Sequence, residues 1–173
     1  MKTLVLIGIL ALASLGCDSG MSNSTTEVSG RIFDRYRGNG FSIEKILDAK
    51  MNTREDYVSF VVCNEDKSRV GSVDAGRKWT ETAGDIEQIE VGYNEQLRQG
   101  EISELSVQKD LIAKCCAVTY SAMAGGMKTR QYMIVKVCSD NHSFVYARAA
   151  APDYCWGSVK DILLRCAKSV RQE

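Results

Sequence analysis

The stretch of residues 113–171 constrains the fold of this chain more than any other. Residues 113–124 and 129–138 are rich in β-branched and aromatic side chains, and Gly125-Gly126 lies between them. Strands favour such side chains, and glycine adopts the positive φ angles that a tight hairpin needs. The two segments are therefore predicted to pair as an antiparallel β-hairpin.

A third strand and a helix complete this stretch. The polar residues 139–142 indicate a turn, after which Ser143–Ala149 is predicted to form the third strand of a meander. Pro152 and Asp153 are typical of a helix start, because proline misses no hydrogen bond there and an acid favours the helix dipole. The following apolar residues fall on one helical face: Cys155, Val159, Ile162, Leu163, Cys166 and Val170. This helix is predicted to pack on the sheet.

The length of the hairpin turn sets the register of its strands. A two-residue turn at Gly125-Gly126 places Val118 opposite Met133, and successive side chains alternate between the faces of a sheet. One face is predicted to carry the bulkier residues Cys116, Val118, Tyr120, Met133, Val135, Val137, Phe144 and Tyr146. The other is predicted to carry the smaller set Cys115, Ala117, Ile134, Cys138, Val145 and Ala147. Because a helix approaches most closely over small residues, the C-terminal helix is expected on the second face.

Seven cysteines are the unusual feature of the composition. If Cys17 carries a lipid, the others form an even set of disulfide candidates in an oxidising compartment: Cys63, Cys115, Cys116, Cys138, Cys155 and Cys166. The helix runs back along the sheet, so Cys166 is predicted to reach Cys115 or Cys138, while Cys155 stays at the opposite end. The alternative is that several are small core residues, since cysteine is often fully buried.

The chain upstream of this stretch is predicted to add strands to the sheet. Phe41–Ile46 and Tyr57–Cys63 are predicted strands, and the second is apolar nearly throughout, which places it near the sheet centre. Residues 31–37 fit a short helix or a strand. Residues 64–84 are polar, contain three glycines and are predicted to form a loop.

A second helix is predicted over residues 85–99. It places Ile86, Ile89, Tyr93 and Leu97 on one face, and Gly100 follows as a stop signal. Residues 101–108 then lead as a strand into the hairpin. The whole pattern predicts an α+β fold in which helices pack on an antiparallel sheet, an α/β/α sandwich.

The N-terminus is typical of a protein exported from the cytoplasm. An apolar run from Leu4 to Leu15 is preceded by one lysine and followed by Gly16-Cys17, which indicates a signal peptide over residues 1–16. The junction resembles a bacterial lipobox, so Cys17 is predicted to be lipidated. Residues 17–36 are expected to form a flexible tether and residues 37–173 a single domain. The alternative is secretion without a lipid.

The remaining residues give no sign of catalysis. Lys plus Arg equals Asp plus Glu at 22 each, which gives no electrostatic reason to expect nucleic acid as a partner. The single histidine, His142, lies in a predicted turn without a metal-binding or catalytic companion nearby in sequence. No catalytic, cofactor-binding or metal-binding residue is predicted, and we expect a protein that is not an enzyme.

The order of the C-terminal elements resembles a known family. The strands around Ala117–Tyr120, Gln131–Val135 and Phe144–Ala147, followed by a final helix ending at Arg171, are similar to the PsbP-like superfamily, whose relatives include the bacterial DcrB-like lipoprotein branch. The resemblance covers about residues 41–173 and implies a sheet covered by helices and an adaptor-like role. The membrane of the cell envelope is expected to be contacted through the lipid predicted on Cys17.

The function expected from these observations is that of a non-enzymatic envelope lipoprotein that binds or stabilises an unidentified envelope protein. Two alternatives remain at this point. One is a thiol-based redox protein that uses Cys115 or Cys116. The other is a carrier that holds a small apolar ligand between the sheet and a helix.

Overall fold

The computed structural model describes residues 33–47, 49–63, 66–80 and 86–173. The signal peptide, Cys17 and the predicted tether up to residue 32 lie outside these residues. Within them the chain forms ten strands and two helices: β1 (Phe33–Gly38), β2 (Phe41–Ile46), β3 (Lys50–Arg54), β4 (Tyr57–Cys63), β5 (Arg69–Trp79), α1 (Ile86–Arg98), β6 (Ile102–Asp110), β7 (Cys115–Ala124), β8 (Met127–Val137), β9 (Ser143–Pro152), α2 (Asp153–Lys168) and β10 (Arg171–Gln172). Neither described helix is long and apolar enough to span a membrane.

Seven strands form one antiparallel sheet in the order β3-β4-β5-β9-β8-β7-β6. The predicted hairpin is its β7–β8 pair, and Gly125 and Gly126 take φ angles of 57° and 79° in the turn. Val118 lies opposite Met133, which confirms the predicted register. Strand β9 pairs with β8, as the predicted meander requires. The last three strands of this sheet therefore follow the local sequence pattern.

The two faces of this sheet carry the side chains that the register predicts. The smaller residues, among them Ala117, Ile134 and Ala147, share one buried cluster with residues of α2. Val118, Tyr120 and the other bulkier residues lie in a second cluster under α1. With one helix on each face, the predicted α/β/α arrangement is confirmed. The helix packs over alanines because their short side chains leave room for it.

Helix α2 begins after Pro152, has Asp153 in its first turn, and ends near the far end of the sheet. There, the Lys136 ammonium group donates to the carbonyl oxygens of Lys168 at 3.3 Å and of Val170 at 2.7 Å. Val159, Leu163, Cys166 and Val170 of the predicted apolar stripe are buried, and Cys155 and Ile162 pack beside them. The helix therefore runs back along the sheet, as predicted.

A second sheet of three strands lies against α2 and was not predicted. Its order is β1-β2-β10, and the last strand pairs Arg171 with Ser42. Phe41, Ile43 and Ile46 are fully or almost fully buried in the α2 cluster. Residues 33–36, assigned to the tether from sequence, are part of β1.

The predicted loop over residues 64–84 is wrong, because Arg69–Trp79 forms an eleven-residue strand near the centre of the sheet. Val73 and Ala75 point into the α2 cluster, whereas Ser72, Asp74 and Gly76 alternate with them on the other face. The alternation is present in the sequence, but the small and polar residues of the second face conceal it. Strand β3 was also missed, since all five of its residues are exposed. Because β3 forms the edge, strand β4 (Tyr57–Cys63) lies second from the edge of the sheet and not near its centre, as was predicted.

Candidate functional site

The predicted disulfides are absent. No disulfide bond joins any two of the six described cysteines. Cys166 does reach the same buried cluster as Cys115 and Cys138, as the helix direction predicted, but the predicted bridge is not formed. Cys116 lies in the opposite cluster from Cys115, so the neighbouring thiols occupy different environments. Apart from Cys63, these cysteines serve as small apolar residues in or beside the two cores.

Burial disfavours the thiolate form of Cys115 and Cys116, the two cysteines considered for redox chemistry. Burial raises the pKa of both the Cys115 and the Cys116 thiols. It raises the pKa of Cys155 to about 11 and that of Cys166 to about 12. A nucleophilic cysteine needs a lowered pKa, because the thiolate is the reactive form. The alternative of a thiol-based enzyme therefore gains no support from the geometry.

The other chemical candidates also have structural explanations. His142 is exposed in the β8–β9 turn, where its backbone N–H donates to Asp140 at 2.8 Å. Among the described residues, no group of three His, Cys, Asp or Glu side chains could hold a metal ion. A depression of about 20 Å³, room for one water molecule, is lined by Arg69, Gly71, Ser72, Thr129, Ala150, Ala151 and Pro152. It is too small for the apolar ligand of a carrier.

One buried ion pair was not foreseen from sequence. Arg148 of β9 lies opposite Asp74 of β5, and its guanidinium donates to the Asp74 carboxylate at 2.7 and 3.2 Å. The Tyr57 hydroxyl donates to the same carboxylate at 2.8 Å. Burial and the Asp74 charge raise the pKa of Tyr57 to about 12, so this phenol is unsuited to act as a base at neutral pH. The group joins β4, β5 and β9, which indicates a structural role.

The two edges of the large sheet differ in a way that bears on partner binding. Edge strand β6 contains a bulge between Ser103 and Ser106, and Glu104 within it has a φ angle of 55°. Its carboxylate accepts hydrogen bonds from Ser121, Lys128 and Arg130 at 2.6 to 3.0 Å. The bulge interrupts the ladder, and α1 packs beside this strand.

Edge strand β3 has no such interruption. Its five residues pair one to one with β4, from Lys50 opposite Val61 to Arg54 opposite Tyr57. All five are exposed, and no strand of the described chain lies on its outer side. A regular edge presents a row of backbone donors and acceptors that a further strand can use.

The loops at one end of the sheet form a second exposed surface, which we call the rim: residues 77–80, 109–114 and 138–142. These segments follow or precede neighbouring strand ends, as shown by the pairs Trp79 with Ser143 and Asp110 with Cys115. Ile112 is 99% exposed, Leu111 64% and Trp79 61%. Leu111 and Ile112 are adjacent in the β6–β7 turn, and such a pair of exposed aliphatic side chains is a candidate contact site for a partner.

Comparison with known proteins agrees with the architecture. No family model and no curated protein matches the sequence. The solution structure of cyanobacterial PsbP (CyanoP) from Synechocystis sp. PCC 6803 superposes with a TM-score of 0.59 at 13% identity, over 89% of this chain and 100% of that chain. A crystal structure from Bacteroides thetaiotaomicron gives a TM-score of 0.50 at 13% identity, over 77% of this chain and 45% of that chain. Identity this low shows a shared fold and no more. The chain therefore has an α+β fold of the PsbP-like type.

Proposed function

We propose that this protein is a non-enzymatic lipoprotein of the bacterial cell envelope, of the DcrB-like branch, that binds a protein partner by accepting one of its strands at β3. The observation that carries the proposal is the open, regular and fully exposed edge that β3 offers. Main-chain hydrogen bonds along such an edge supply affinity, and alternate side chains supply specificity.

The charge of β3 indicates what kind of strand would bind. Lys50 and Arg54 are its only charged residues, and both are basic. They are four positions apart, so both point to the same face of the sheet. Opposite charges on neighbouring strands stabilise their pairing, whereas a neutral or basic strand gains nothing or is repelled. The partner segment is therefore expected to be extended and to carry acidic residues at alternate positions.

The location in the envelope is supported by the sequence of the N-terminus. The apolar run before Cys17 is too short for a comfortable transmembrane helix and fits a cleaved leader. Sixteen residues lie between Cys17 and the first described residue, Phe33, if Cys17 itself is counted. The segment is rich in Ser, Thr and Gly, a composition typical of a linker between an anchor and a folded domain. The anchor and the open edge together favour an adaptor-like protein.

A photo-crosslinking amino acid at position 52 tests the proposal in living cells. Asn52 is the middle residue of β3 and is exposed. The matched control carries the same crosslinker at Gln88, which is exposed on α1. A discrete envelope protein is expected to crosslink from position 52 and not from position 88. Charge reversal by Lys50→Glu is expected to weaken this crosslink at least about tenfold, whereas Lys160→Glu on the exposed side of α2 leaves it unchanged.

The same experiment can contradict the proposal. Equal crosslinking from positions 52 and 88, or none from either, would show that β3 is not a binding edge. An equal effect of Lys50→Glu and Lys160→Glu would show that the charge of the edge plays no role. Thermal unfolding of each variant checks that the fold is intact.

A further inference from the structure

Hydrogen bonds hold the apolar tip of the rim, which is the turn with Leu111 and Ile112, in a fixed position. The Ala113 backbone N–H donates to the Asp110 carboxylate at 2.9 Å, which closes the turn that carries Leu111 and Ile112. The backbone carbonyl of Lys114 accepts a hydrogen bond from Val137 N–H at 3.0 Å. These bonds hold both ends of the turn, and its two aliphatic side chains are exposed.

Two residues with unusual backbone angles lock the neighbouring turns together. Lys114 has a φ angle of 47° and Asn141 one of 56°, in the left-handed region that residues other than glycine seldom adopt. The Lys114 ammonium group donates to the Asn141 side-chain oxygen at 2.7 Å. On the other side, Thr80 N–H donates to the His142 carbonyl at 2.8 Å. Such strain persists where the surrounding structure enforces it, and it is concentrated at binding surfaces.

The rim is also positively charged, although the whole chain is neutral. It contains four basic residues, Arg77, Lys78, Lys109 and Lys114, against two acidic residues, Asp110 and Asp140, so its net charge is +2. Lys109 is paired with Glu90 of α1 at 2.5 Å, which leaves Lys78 and Lys114 as the lysines that can face an anionic surface. The Asp140 carboxylate is paired with Arg77 at 2.8 Å. The Lys114 ammonium beside the apolar tip donates to a neutral amide oxygen, so its charge remains available to an anion.

We propose that the rim docks onto an anionic phospholipid surface, with Leu111 and Ile112 inserted at the level of the acyl chains. Aliphatic side chains at the deepest point, an indole near the headgroups and lysines facing the lipid phosphates match the layers of a bilayer interface. Trp79 lies at the same end of the sheet, and Arg77 stacks on its ring at 4.4 Å. Strand β3 is not part of the rim, so this proposal stands apart from the strand-addition proposal.

Quenching of tryptophan fluorescence by brominated lipids tests the depth of the rim directly. The full-length chain is reconstituted into phosphatidylglycerol vesicles with brominated acyl chains, in a Trp79→Phe and Trp156→Phe background. One protein carries Ile112→Trp and the control carries Val91→Trp, at a residue that is 60% exposed on α1. Because both proteins have the same N-terminal sequence, only the position of the reporter differs. We expect strong quenching at position 112 and little at position 91.

The charge of the lipid and the control reporter at position 91 decide between the possible outcomes. In phosphatidylcholine vesicles the quenching at position 112 is expected to fall severalfold, because the lysines lose their anionic partner. Equal quenching at positions 112 and 91, or none at 112, overturns the proposal and favours a protein as the occupant of the rim. Quenching at 112 that is the same in both lipids overturns the assignment to an anionic surface. Matching thermal unfolding of both variants shows that each one is folded.

Discussion

At the scale of single residues, the ion pair of Asp74 and Arg148 shows how the sheet holds charges in its interior. The Asp74 side chain is 10% exposed and the Arg148 side chain 21%. Taking both out of water has a large desolvation cost, which close contact and the extra hydrogen bond from Tyr57 offset. Removal of one partner leaves the other buried and uncompensated.

This pair gives a stability prediction. Asp74→Ala is expected to lower the free energy of unfolding by about 3 to 5 kcal/mol, because the Arg148 guanidinium is left without a carboxylate. Adding Arg148→Met to Asp74→Ala should recover part of the loss, since the orphaned charge is then removed as well. Urea unfolding of the two variants measures both effects. A double variant less stable than Asp74→Ala alone would contradict this explanation.

Single residues also show what the sequence could reveal. Val118 and Met133 could be paired from sequence because the two glycines between their strands leave one favourable turn length. The ion pair of Asp74 and Arg148 could not be predicted from the sequence. It joins strands about seventy residues apart through a contact that no local pattern encodes. The exposed Leu111 and Ile112 lie between the predicted strands 101–108 and 113–124 and were not assigned a role, since no sequence period marks the tip of a turn.

At the scale of elements, β5 shows why the least regular sequence became a central strand. Gly71 and Gly76 lower its strand propensity, yet both lie where neighbours come close. A Cβ on Gly76 would lie 2.5 Å from the Asp56 carbonyl oxygen and 3.2 Å from the Tyr146 hydroxyl. The glycines that suggested a loop are therefore required by close packing between strands.

A matched pair of substitutions tests this explanation. Gly76→Ala is expected to destabilise the protein by roughly 1 to 3 kcal/mol, because the backbone at Asp56 must move. Gly157→Ala in α2 is expected to stabilise it by about 0.5 to 1 kcal/mol, since no atom lies within 4 Å of the added methyl group and alanine favours a helix. Thermal unfolding measures both. A Gly76→Ala protein as stable as the unmodified chain would show that β5 tolerates a side chain there.

At the scale of the whole molecule, a helix packs on each face of the sheet, and one edge is open. Helix α1 packs on the β6 and β7 part of one face, while α2 and the small sheet pack on the other. The placement of both helices could be predicted, because apolar stripes and small-residue faces are local features. The strand order β3-β4-β5-β9 could not, because it depends on pairing between distant segments. The open edge at β3 follows from that strand order, so it could not be predicted from the sequence either.

The measurement that tests the central claim most directly is amide hydrogen exchange of the full-length chain, alone and bound to the envelope protein recovered by crosslinking at position 52. Strand addition forms backbone hydrogen bonds along the outer side of β3, so exchange over Lys50–Arg54 is expected to slow at least about tenfold on binding. Exchange in α1 and β6 should stay unchanged. Unaltered exchange over Lys50–Arg54, with slowing elsewhere in the bound protein, would contradict binding at this edge.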